Sequence, residues 1–302
     1  MTVSTHLPSR SAMISRLLVQ VSNAAATIEF FQRLGCVTEI GPSIESPLAQ
    51  ALGQSAISRS RCWRIILSDT PFQVIDIVEL PGVRQRPFAV PGFAALELIS
   101  QNLEEVTRRL NETDITLVGS PKTLSFSDNI RAMQVQDSSG FLIYFTEVNG
   151  PVPGFVLPIA RDEIGECFVV ILAVADIEAS CEFYANLFEC AIPTRMESPI
   201  AAQSLLRGVD RDTTYSIAAL PLGSTHWLEI DQWVAPADQS NTNRSGLAGS
   251  QILCVSITRS DGAQRSVARD AVSWVSADGA LHELIRGPDG EALNAGVRCA
   301  CV

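Results

Sequence analysis

The chain has 302 residues, with 22 Lys and Arg against 33 Asp and Glu and a formal net charge of −11. At 46% hydrophobic and 18% charged it is too apolar for a disordered chain, and it is long enough for roughly two domains. The acidic balance speaks against nucleic acid or an anionic membrane as partner, because nothing offsets repulsion from phosphate.

The opening residues hold His6, Pro8, Ser9 and Arg10 without the apolar stretch of a secretory leader, so residues 1–13 are expected to be irregular and the protein cytoplasmic. Leu17 to Val21 then reads as a strand, Asn23 as an N-cap, and Ala24 to Leu34 as a helix with Ile28, Phe31 and Leu34 on one face. Val74 to Val78 is an apolar strand with Asp76 at its centre. Phe93 to Ile99 is another strand, followed by a helix over Asn102 to Leu110. Strands at roughly Asn129 to Val135 and Phe141 to Glu147 flank the turn Asp137-Ser138-Ser139-Gly140. A Pro- and Gly-rich segment from Asn149 opens a linker running to about Gly165.

The pattern then returns at an offset of 153. Val170 to Val174 repeats the first strand, Asp176 the cap, and Ile177 to Phe188 the helix. Trp227-Leu228-Glu229-Ile230-Asp231 repeats the acid-centred strand. Ile285 to Gly290 repeats the turn at an offset of 150. Each copy also repeats faintly within itself, so one strand-helix-strand-strand-strand module is used four times. The longest apolar run, Cys167 to Ala175, is far short of the ~20 residues of a membrane helix. The mean hydropathy of +0.19 therefore belongs to large folded interiors. Ala235 to Ser250 is read as a mobile loop and a candidate lid. The eight cysteines read as small buried hydrophobes of a reducing compartment, and Cys299-Ala300-Cys301 is a weak zinc signal.

This ordered set, with Val21-Ser22-Asn23, Phe30-Phe31 and Leu34-Gly35 in one copy and Val174-Ala175-Asp176 and Phe183-Tyr184 in the other, resembles the vicinal oxygen chelate superfamily. That group includes glyoxalase I, bleomycin-resistance proteins and extradiol dioxygenases. The resemblance implies an α+β fold of two tandem domains, 14–148 and 166–302, each of paired βαβββ modules forming a curved mixed sheet around a cup. It also implies a divalent metal held by His, Gln or Glu. Carried onto this chain, the ligand positions read Arg16, Asp76, a residue near Ala95, and Tyr144 in copy one. In copy two they read Val169, Glu229, Gln251 or Ile252, and Asn294. Arg is a permanent cation and Val has no donor. With His6, His226 and His282 the only histidines, the scaffold is expected to be kept and the metal lost, with no cofactor.

If copy one forms one cavity, Arg16, Asp76 and Tyr144 make either an acid/base site or an internal polar plug. In copy two, Trp227, Glu229 and Asp231 share a strand face, with Gln251 and Asn294 as further binding candidates. His282 is a candidate general acid/base. The catalytic candidates are thus Asp76, Tyr144, Glu229 and His282. Arg16, Trp227, Asp231, Gln251 and Asn294 are the substrate-binding candidates. The expected function is metal-independent isomerisation, elimination or lyase chemistry on a small apolar or aromatic metabolite, with a homodimer open. The alternatives are a non-catalytic binder of the bleomycin-resistance type and a metal-dependent dioxygenase with displaced ligands.

Overall fold

The computed structural model describes residues 12–67, 73–80, 86–111, 115–223, 225–235, 252–259, 271–276 and 281–296. The chain runs through four modules. The first is β1 (Ala12–Val21), α1 (Ala24–Arg33), β2 (Val37–Ser43), a short α2 (Ser46–Ala51), β3 (Arg61–Ile66) and β4 (Val74–Glu79). The second is β5 (Gly92–Ser100), α3 (Leu103–Leu110), β6 (Thr116–Leu124), β7 (Ser127–Gln136) and β8 (Leu142–Val148). The third is β9 (Ile164–Val174), α4 (Ile177–Phe188), β10 (Arg195–Pro199), a short α5 (Ala201–Arg207), β11 (Thr214–Pro221) and β12 (Trp227–Gln232). The fourth is β13 (Ile252–Arg259), β14 (Val272–Val275), β15 (Leu281–Arg286) and β16 (Ala292–Gly296). The expected short helix of this last module, the loop 236–250 with its lid role, Gln251, and the Cys299–Cys301 pair all lie outside the described residues.

Helix starts follow the chemistry read from sequence. The side chains of Asn23, Asn102 and Asp176 each accept hydrogen bonds from backbone N–H groups of the first turn, satisfying donors that the helix itself leaves open. The two short helices α2 and α5, inserted between the first helix of a module and its later strands, were not anticipated.

The strands form two eight-stranded mixed sheets. One runs β14-β15-β16-β13-β1-β4-β3-β2, the other β10-β11-β12-β9-β5-β8-β7-β6. Here the structure corrects an expectation: the sheets do not close within the sequence copies. Module one pairs with module four through antiparallel β1 and β13, and module two with module three through antiparallel β5 and β9. Each sheet therefore takes one module from each half of the chain.

Side chains alternate between two interiors on every central strand, as period two requires. On β9, Val170, Leu172 and Val174 face a core shared with α1, α3 and α4 and with the other sheet. Val169, Ile171 and Ala173 face the inside of their own sheet. The first sheet has its own inner cluster, in which Ile44, Leu48, Leu52 and Ile57 from the α2 region pack on Leu18, Val78 and Leu253. Gln73 ties the sheets together at depth: its Nε2 donates to the carbonyls of Ile14 and Cys167, and its Oε1 accepts from the Cys167 N–H. Among the described residues, no helix is long and apolar enough to cross a membrane. All six described cysteines are free thiols, and only Cys190 is not fully buried.

Candidate functional site

The exchange of modules redistributes the sequence candidates between two cups. Arg16, Asp76, Asn294 and His282 share the first. Tyr144, Trp227, Glu229 and Asp231 share the second. Arg16, Asp76 and Tyr144 therefore do not face one cavity, because Tyr144 stands on β8 of the other sheet. Asn294 likewise does not join Glu229.

In the first cup Asp76 is fully buried and wholly engaged. Arg64, paired with it across β3 and β4, forks onto both carboxylate oxygens at 2.8 and 2.9 Å. Arg16 approaches Oδ2 at 2.6 Å. The approach is a charge contact without hydrogen-bond alignment, since the Arg16 Nε lacks a partner in directional terms. Gly41 closes over the pair, with the space a Cβ would take lying 3.3 Å from Asp76 Oδ1. His282 is just as occupied. Its ring stacks on Trp274 at 5.1 Å, Nε2 lies 3.0 Å from Ser276 Oγ, and Nδ1 lies 3.2 Å from Asn294 Nδ2. With the α2 region filling the apolar part of this cup, the arrangement is that of a packed polar interior.

The second cup is open. A cavity of about 270 Å³ is lined by Tyr144, Trp227, Glu229 and a residue the sequence reading passed over, Glu97. Trp227, Val169, Glu97 and Tyr144 lie in one row across β12, β9, β5 and β8. Glu229 and Asp231 follow on the same face of β12. One wall is aromatic: Phe126 contacts Phe155 at 5.7 Å between ring centres, and Phe155 contacts Trp227 at 5.1 Å. The indole is oriented by Nε1 donating to the Val156 carbonyl at 3.2 Å. Carrying the resemblance onto β5 had pointed to Ala95. The usable signal for Glu97 was the one already seen in Asp76 and Glu229, an acid in the middle of an apolar strand.

The acids of this cup disfavour one another's charge. Glu97 accepts a hydrogen bond from Thr146 Oγ1, yet burial pushes its pKa up to about 7. Burial first, and then the neighbouring carboxyls, raise Glu229 and Asp231 together. Burial and the same acids raise Tyr144. Both Asp231 oxygens and the Tyr144 hydroxyl are buried without a hydrogen-bond partner. His226 stands apart, beside Glu166 at 3.6 Å, and burial lowers its pKa to about 4.

Among solved structures, maize glyoxalase I superposes with a TM-score of 0.60 at 13% identity, covering 95% of this chain and 93% of that one. A point mutant of the same maize enzyme gives 0.60 at 13%, covering 96% and 93%. A candidate dioxygenase of Bacillus subtilis gives 0.59 at 10%, covering 95% and 86%. The chain has the vicinal oxygen chelate fold. No protein-family model and no curated protein matches the sequence.

The metal that the vicinal oxygen chelate fold implies does not suit either cup. In the first, two guanidinium groups already occupy the buried carboxylate of Asp76. In the second, Val169 has no donor, Tyr144 offers a phenol held protonated, and burial holds Glu97, Glu229 and Asp231 toward their neutral form. No three His, Cys, Asp or Glu side chains among the described residues are placed to hold one ion.

Proposed function

We propose that the second cup is the working site of a metal-independent enzyme. It would move a proton on a small, largely apolar or aromatic metabolite in an isomerisation, elimination or lyase-type reaction. The observation that carries this reading is a carboxyl group, Glu229, lining an apolar cavity with its pKa raised well above the ordinary value beside two further raised acids. A carboxyl whose pKa is raised is a stronger base when ionised than an ordinary one, and general bases contribute roughly 10²–10⁴ in rate. Glu229 takes the proton from the ligand carbon, and the unpartnered Tyr144 hydroxyl donates to the oxygen on which charge develops. Asp76 and His282, spent on fixed partners in the other cup, are positioned for stability instead.

The aromatic wall of Phe126, Phe155 and Trp227 favours a second reading, simple sequestration of an apolar ligand. One experiment separates the two. Small aromatic carbonyl compounds are screened by quenching of tryptophan fluorescence, and each binder is incubated with the protein in D2O. Proton-transfer function predicts deuterium at a ligand carbon, lost in Glu229→Gln. A bound ligand recovered without deuterium, at the rate of the protein-free control, supports sequestration and sinks the enzyme reading.

A further inference from the structure

We infer that the second cup selects an organic cation, an apolar or aromatic body bearing a basic or quaternary nitrogen. This deepens the reading of that cup as the binding site and rests on it. The charge distribution carries the inference. The described floor holds Glu97, Glu229 and, one step deeper, Asp231, with no basic side chain among them. The one described basic residue on the wall, Lys122, is solvent-exposed at the β6 end of the rim. In the first cup the buried acid Asp76 is matched by two arginines. The same fold position in the second cup is left without a counter-charge. Burying carboxyls in this way is costly unless something pairs with them.

Two further observations point to a ligand. Tyr144 lines the cavity at only 7% exposure with its hydroxyl unpartnered, and Asp231, 0% exposed, has both oxygens unpartnered. The aromatic wall ends at Trp227, whose ring face suits a cation. An ammonium group at the floor would meet carboxylates on one side and the indole on the other. Its apolar body would lie along Phe155 and Phe126. A cation arriving at acids held largely protonated displaces a proton, so its affinity must rise with pH. Among the described residues, the titratable groups facing the site are Glu97 from β5, Tyr144 from β8, Glu229 and Asp231 from β12, and Lys122 from β6. The described linings from β9, β10 and β11 are apolar or hydroxyl-bearing.

The test compares three probes of similar shape by titration against the full chain. These are benzyltrimethylammonium, its uncharged isostere neopentylbenzene, and benzoate. The expected result is that the cation binds at least roughly tenfold tighter than the isostere at about pH 8, a difference within reach of one desolvated charge contact. Its affinity falls several-fold by about pH 6, and Glu229→Gln removes most of the preference. Because the comparison is made on the wild-type protein, it does not depend on any variant folding. If the isostere or benzoate binds as tightly as the cation, the cation inference is wrong while the cup stands as a binding site. If none of the three binds, or all bind Trp227→Ala unchanged, the reading of this cup as the working site falls as well.

Discussion

Tyr184 of α4 donates its hydroxyl to the carboxylate of Glu291, in the turn that leads into β16 of the other sheet. The matching link in the other half is Thr27 of α1, which donates to Asp137 in the turn before β8. Each repeated turn therefore clamps the helix that covers the opposite sheet, and Asp289 adds to this by accepting from the Ala175 N–H at 3.0 Å. The turn motif that carries the family resemblance is, in this chain, a device for joining two sheets.

Tyr184→Phe leaves Glu291 buried with one acceptor unmet, a loss on the order of 1–3 kcal/mol. Gly287 sits under the same contact, with the space a Cβ would take 2.1 Å from Glu291 Oε1 and 2.2 Å from the Tyr184 hydroxyl. Gly287→Ala is expected to destabilise, and to do so less in the Tyr184→Phe background. Urea unfolding of the two single variants and the double variant measures this, and strictly additive effects would show that the glycine answers to something else.

Asp76 makes the contrasting case. It is 0% exposed and held by Arg64 and Arg16. Asp76→Ala strands two partly buried guanidinium groups, and breaking a buried pair in this way costs about 3–5 kcal/mol. The midpoint of thermal unfolding should drop, while ligand affinity at the second cup, on the other sheet, stays at the wild-type value when measured below the transition. A selective loss of ligand binding with unchanged stability would place Asp76 in a working site after all.

Much of this organisation is legible in the sequence. The four modules, the caps Asn23 and Asp176 and the acid-centred strands follow from period, capping chemistry and an offset that recurs. The pairing of modules was not legible, because β1 meeting β13 and β5 meeting β9 depends on contacts between residues more than a hundred positions apart, or across a linker of unfixed course. That gap moved Tyr144 away from Arg16 and Asp76. Glu97 was missed for a different reason: the position carried over from the resemblance falls at Ala95, two residues earlier on the same face of β5, and only the pairing of β5 with β8 and β9 sets Glu97 beside Tyr144 and Val169. The hydrogen bonds that occupy His282 were equally invisible, since Trp274, Ser276 and Asn294 come from separate stretches of chain.

Stability should depend on pH through Glu97. Its folded pKa, about 7, lies above its ordinary value of 4.5. Between those values the folded protein holds a proton that the unfolded chain has released. The stability contributed by the protonated group is therefore fully present below about pH 4.5 and is lost as pH rises through about 7. The change is on the order of 3 kcal/mol for this group. His226, lowered to about 4, acts oppositely, with stability rising between about 4 and 6.5. The informative quantity is thus the difference between wild type and Glu97→Gln, in which His226 cancels. That difference should shift in favour of the variant from pH 5 to pH 8, read by thermal melts. A flat difference would mean Glu97 is ionised throughout.

Tyr144 separates stability from function most sharply. The residue lines the cavity and its hydroxyl is buried and unpartnered, so the free protein bears the desolvation of a polar group with nothing to offset it. Tyr144→Phe removes that group while keeping the ring that packs with Phe168 and Val169. The variant should be as stable as wild type or more so, by up to about 1–3 kcal/mol. A ligand that meets the hydroxyl with an oxygen or nitrogen should bind it roughly tenfold more weakly, the equivalent of one hydrogen bond. Opposite signs in the melting midpoint and in ligand affinity are the expected outcome. If Tyr144→Phe instead melts at a markedly lower temperature, the hydroxyl is structural, and the open cup loses the group assigned to meet developing charge.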